Sequence, residues 1–185
     1  MYLGLDLSLA GTGVVIIDGS CTILLKAKLK PPDGCIGVDR LFFLHEILKE
    51  ILTSNDIVFS CIEGPAYGRG DGGRLFELGE WAGIAKLLLF TANIPFILAV
   101  PSQLKKYVCG SGKGATKDLI ILDVYKKFGE EIRDNDIADA YVLSRIAKDF
   151  YSVLKEKDVE VLKYQQEVLN ALVKRYGLDQ NALLG

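Results

Sequence analysis

The chain has 185 residues, half of them hydrophobic, and a formal net charge of −2, so it can bury one sizeable core and reads as a single independently folding unit. That charge excludes a protein that coats nucleic acid through a general positive field, and any attraction for DNA must come from local patches. Cys21, Cys35, Cys61 and Cys109 are scattered without zinc-type spacing, and no charged leader or bilayer-length apolar run is present; the expectation is a soluble, cytoplasmic protein with reduced thiols and no membrane association.

YLGLDLS, TGVVIID and CTILLKAKL read as three successive strands separated by the turn residues Gly11, Gly13 and Asp18-Gly19, an antiparallel opening. After the Pro31-Pro32-Asp33-Gly34 break, Leu41, Leu44, Ile47, Leu48 and Ile51 recur at helical spacing. The strand IVFSCIE follows, then a glycine-rich loop at Gly68 to Gly73, a helix from about Arg74 to Thr91 and the short strand FILAV. Helices are expected near 101–108, 115–128, 135–150 and 158–176. This β-β-β-α-β-α-β-α order predicts an α/β fold of the ribonuclease H-like kind, a mixed five-stranded sheet flanked by helices. Residues 1–152 form the main domain in this reading, and 153–185 a C-terminal helical extension of it that packs against the core.

Four acids carry the functional argument. Asp6 lies in the first strand and Glu63 follows a second apolar one, settings where a carboxylate loses hydration unless a cation, donor or cavity offsets that loss. Asp136 and Asp139 in DNDIADAYVLSRIA are three apart, on one face of a helix. Taken singly, each has a structural reading as a turn, cap or strand-end charge. Asp134, Asn135 and Asp136 crowd a helix start where one of them caps, which leaves Asp134 as an alternative to Asp136. Taken together, four oxygen donors suit Mg²⁺ or Mn²⁺ rather than zinc, and two such ions can cleave a phosphodiester.

Basic residues form a second group. Lys105 and Lys106 precede CGSGKGATK, where glycines and Lys113 allow close approach to phosphates and Lys117 opens the next helix. The segment lacks the phosphate-loop spacing of a nucleotide-binding protein. Tyr67, with Arg69 and Arg74 around the glycine-rich loop, is a candidate for stacking on an opened base and gripping the neighbouring phosphates. His45 has no second histidine and reads as a half-buried or surface residue.

The motifs GLDLSLAGTGVVIID, IEGPAYG, LGEWAGIAKLLL, VPSQLKKYVCGSGKGATK and DNDIADAYVLSRIA, in this order over roughly residues 1–150, resemble the RuvC-type Holliday junction resolvases, including divergent phage members. The resemblance implies Asp6, Glu63, Asp136 and Asp139 as ligands of two Mg²⁺ or Mn²⁺ ions. It also implies Lys105 and Lys117 as DNA-contacting residues near the scissile phosphate, with Lys117 supporting catalysis. A homodimer follows from it, nicking two strands of a four-way junction symmetrically in recombination, repair or phage DNA processing, with a helicase partner unspecified. The helix at 74–91, with Leu78, Gly79, Ala82, Gly83, Ala85 and Leu87, corresponds to a dimer-interface helix, for which Trp81 is a candidate anchor. Pro65 and the loop GRGDGG depart from the family pattern where an aromatic wedge is expected. A nuclease of the same fold acting on RNA or DNA·RNA hybrids, and a non-catalytic binder of branched DNA, are the competing readings.

Overall fold

Five apolar segments pair into one sheet in the computed structural model, which describes residues 1–64 and 72–177. Tyr2–Asp6 (β1), Thr12–Ile17 (β2) and Ile23–Leu29 (β3) are antiparallel neighbours; Phe59–Glu63 (β4) and Phe96–Ala99 (β5) join in parallel on the other side of β1, giving the order β3-β2-β1-β4-β5. The run Val14-Val15-Ile16-Ile17 is buried on both faces, as a central strand between two helical layers requires, while β3 alternates between exposed and half-buried residues because it is an edge.

One face of the sheet is covered by Gly37–Thr53 (α1) and Gly72–Thr91 (α2), which pack on Leu3, Leu5, Val14 and Ile16. The other carries Pro101–Cys109 (α3), Lys117–Phe128 (α4), Asn135–Leu154 (α5) and Lys163–Tyr176 (α6) around Val15, Ile17, Phe59 and Cys61. The helix α5 lies directly across β1, β2 and β4. Two glycines allow this: a Cβ at Gly4 would fall 1.9 Å from the Ala140 carbonyl oxygen, and one at Gly13 would fall 2.1 Å from that of Asp136.

Several boundaries differ from expectation for local reasons. The helix expected from 115 starts at Lys117, because the Thr116 side chain caps it by accepting the Leu119 N–H. The helix expected from 158 starts at Lys163, where the Gln165 side chain accepts the Leu162 N–H and Leu162 is extended. Its buried residues Val168, Leu169 and Leu172 belong to the same core as α5. Tyr176 at its end reaches the edge of the sheet, where its hydroxyl accepts the Leu98 N–H at 3.0 Å and donates to the Leu98 carbonyl at 3.3 Å.

Trp81 is fully buried within the chain's own core and donates its indole N–H to Thr12 Oγ1 at 2.9 Å, so it is not available as an interface anchor. Larger than its neighbours in α2 and carrying one polar atom, it fills the space beside β2 where a hydroxyl acceptor is waiting. No helix among the described residues is long and apolar enough to cross a membrane.

Candidate metal centre

Asp6 and Glu63 are the last residues of β1 and β4, parallel neighbours paired through Leu5 and Ile62, so both carboxylates leave the same end of the sheet. Strand alternation puts them on the face that carries Gly4 and Cys61, the face under α5. The first turns of α5 supply Asp136 and Asp139, and because Gly4 and Gly13 admit the helix to backbone contact, those two acids arrive beside the strand ends.

The four are electrostatically linked. Burial raises the pKa of Asp6 from 3.8 to about 8, helped by repulsion from Glu63 and Asp136, a hydrogen bond to Glu63 that keeps the proton on Asp6, and opposed by Lys117. Burial also raises Glu63; the bond from Asp6 lowers it, Asp139 raises it, and Lys105 and Lys117 lower it. Asp139 rises from 3.8 to about 7, first through burial and then through the charge of Asp6, again against Lys117 and Lys105. The arrangement costs free energy as a set of bare acids.

Asp136 is held differently. Its Oδ2 lies 2.7 Å from Lys28 Nζ and its Oδ1 lies 3.8 Å from Lys117 Nζ. Asp134 is the cap of α5: its Oδ1 accepts the N–H groups of Asp136 at 2.9 Å and Ile137 at 3.2 Å, and its Oδ2 accepts from Lys28 at 2.9 Å. No group of three or more His, Cys, Asp or Glu side chains among the described residues stands at ready metal-binding spacing. The donor chemistry nonetheless fits a hard divalent cation: carboxylate oxygens, desolvated and mutually repelling, whose charge such an ion would balance.

The basic residues divide. Lys105 on α3 and Lys117 at the start of α4 both act on Glu63 and Asp139, which puts their charges beside the carboxylates. Lys106 instead is paired with Glu167 of α6 at 2.7 Å, and Lys113 is exposed on the loop between α3 and α4. Tyr67 and Arg69 lie outside the described residues, and Arg74 falls in the first turn of α2, its side chain likewise outside the description. His45 is half-buried and pairs with Glu46 at 2.7 Å. Sequence reasoning missed Lys28, and missed Gly4 and Gly13 as the residues that seat α5; a glycine inside each of two adjacent strands was the available signal.

A cavity of about 700 Å³ lies between α1 and α2 and is lined by none of the acids. A smaller one, about 310 Å³, opens beside Glu63 between β5 and α2. Carboxylate chemistry, rather than cavity size, therefore marks the site.

No family model matches the chain. It is 26% identical over 145 residues to the crossover junction endodeoxyribonuclease RuvC of Bradyrhizobium diazoefficiens, spanning 77% of this chain and 82% of that protein. It is 28% identical over 145 residues to the protein of the same name from Bartonella tribocorum, spanning 77% and 84%. The chain is thus similar to the RuvC resolvases at low sequence identity. Solved RuvC structures share its fold: that of Thermus thermophilus RuvC superimposes with a TM-score of 0.66 at 21% identity, covering 84% of this chain and 96% of that one. The same bacterium's RuvC in complex with a Holliday junction substrate gives 0.67 at 17% identity, covering 96% of each. The RuvC-like fold thus includes α6, since the second superposition extends over nearly the whole chain.

Proposed function

We propose that this protein is a divalent-metal-dependent endonuclease that resolves Holliday junctions, or closely related branched DNA, by paired symmetric nicks. The observation that carries the reading is the meeting of Asp6, Glu63 and Asp139 under the glycine-seated helix of a RuvC-like fold, with Asp136 at their margin. Asp6, Glu63, Asp136 and Asp139 are the proposed ligands. Between them these residues would hold two Mg²⁺ or Mn²⁺ ions, and the chemistry such ions would supply there is activation of a water and charge neutralisation at the leaving 3′ oxygen. The chain's own groups do the rest: Lys117 at the carboxylates stabilises charge developing on the phosphate, and Lys105 holds the strand against α3. Tyr67, Arg69, Arg74, Lys106 and Lys113 remain proposed DNA contacts; Lys106 must first leave Glu167.

Paired nicks need two centres related by a twofold axis, and a homodimer supplies them. The outward face of α2 suits that role. Phe76, Leu87 and Phe90 are 71%, 60% and 51% exposed, and Gly79 and Gly83 between them have nothing within 4 Å of where a Cβ would stand. Two such helices can approach closely along the glycines and bury the aromatic rings.

The deciding experiment incubates the protein with end-labelled four-way junctions, forks, duplexes and DNA·RNA hybrids, with and without Mg²⁺. Symmetric nicks in the junction that disappear in Asp139→Asn, while junction binding persists, are expected. Cleavage confined to hybrids, or junction binding without any Mg²⁺-dependent nick, would replace the reading with one of its two competitors.

A further inference from the structure

Lys28 occupies an unusual place for a cation. It sits on β3 in register with Gly13 of β2, and its stem passes where a side chain on β2's leading loop would otherwise lie: a Cβ at Gly11 would fall 2.4 Å from Lys28 Cε. The ammonium emerges at the N-terminus of α5, where the helix dipole disfavours positive charge. Among the described residues it is held there by two carboxylates, Asp134 Oδ2 at 2.9 Å and Asp136 Oδ2 at 2.7 Å. These two contacts are not equivalent. Asp134 is fixed as the helix cap through its other oxygen and tethers Lys28 whatever Asp136 does. Among the described residues Asp136 has no such second commitment, and its Oδ1 meets Lys117 at 3.8 Å.

We propose that Lys28 is a resident cation that occupies Asp136 Oδ2 in competition with divalent ions, and that it must release this oxygen before the four carboxylates share such ions. This rests on the metal-centre reading above. Lys28 is a positioning residue in this role, acting through Asp136, and swings only from a shared contact to its remaining tether on Asp134. Its single charge repels an ion arriving at Asp136, so the ion bound through that residue is held more weakly than the acids alone would hold it. Occupancy of that position then depends on a further negative group, which the phosphate of a bound strand supplies.

The test is Mn²⁺ titration of the DNA-free protein, followed by the paramagnetic resonance of the free ion, for wild type, Lys28→Met and Lys28→Arg, each with Asp136 intact and as Asp136→Asn. Removing the ammonium should tighten the Asp136-dependent site by about tenfold, from the Coulomb repulsion it withdraws. Lys28→Arg should bind as wild type does, and Lys28→Met should bring no gain in the Asp136→Asn background, since the effect passes through that carboxylate. Equal or weaker binding by Lys28→Met, or an equal gain with Asp136→Asn, overturns the role of Lys28 while leaving the metal centre standing. Absence of Mn²⁺ binding by the wild type overturns both. Far-UV circular dichroism establishes that each variant is folded, and Lys28→Gln, which keeps a donor toward Asp134, carries the same comparison where Lys28→Met does not fold.

Discussion

Replacing Asp6 with Asn should make the metal-free protein more stable at pH 8. Asp6 is only 7% exposed, and its pKa is raised from 3.8 to about 8, by burial first and by its neighbours second. Between those two values the folded state binds more protons than the unfolded chain. Stability contributed by the protonated acid is therefore fully present below pH 3.8 and is lost as pH rises through about 8. At about 1.4 kcal/mol per pH unit, a difference of about four units sets a ceiling of about 6 kcal/mol. Water entering the cleft as the acids ionise removes more than half of it, leaving about 2 kcal/mol, or about 5 °C in Tm for a chain of this length. Asn keeps the shape and the hydrogen bond to Glu63 but never acquires the charge. Thermal melts followed by circular dichroism in EDTA, at pH 5 and pH 8, check this. Asp6→Asn should gain at pH 8 and gain little at pH 5, and saturating Mg²⁺ should raise the wild type at pH 8 far more than the variant. A variant that melts at or below the wild type in EDTA at pH 8 refutes the claim that these carboxylates are held together against their own repulsion.

Gly13→Ala places a methyl 2.1 Å from the Asp136 carbonyl oxygen, so α5 must lift by more than an ångström; the expected outcome is a loss of about 2 kcal/mol or more in urea denaturation and a larger proportional loss of Mg²⁺-dependent nicking. Lys117→Ala should lower the nicking rate by about 100-fold with a much smaller effect on junction affinity, measured by single-turnover cleavage and gel shift. Leu87→Glu, on the exposed face of α2, should convert a dimer to monomer in analytical ultracentrifugation and replace paired cuts by isolated ones.

Much of this architecture was legible in the residues. The short apolar runs of β1 and β2 and the helical recurrence of Leu44 and Leu48 fixed element type, and carboxylates set among strand hydrophobics pointed to Asp6 and Glu63. The D-x-x-D spacing placed Asp136 and Asp139 on one turn, and the helix-start chemistry identified a cap without saying which acid it was; the structure gives that role to Asp134 through two backbone donors. Long-range pairing was harder to read. Nothing local to Lys28 announces a partner at Asp134, 106 residues away, because that contact exists only once β3 and the start of α5 are brought together. Trp81 misled for a similar reason: its position on a small-residue helix suggested an outward role, and only the antiparallel sheet supplies the Thr12 hydroxyl that draws it inward. Lys106 looked like one of two equivalent lysines until α6 folded back and offered Glu167.

The grip of Tyr176 on Leu98 has a consequence for how two copies can meet. A peripheral strand with free amide and carbonyl groups invites another chain to continue the ladder. On β5 the phenol already engages both groups of Leu98, and on β3 the exposed positions include the charged residues Lys26 and Lys28. With both rims blocked, one by a plug and the other by like charge, self-association by sheet extension is discouraged, and contact through helical faces is the route left open.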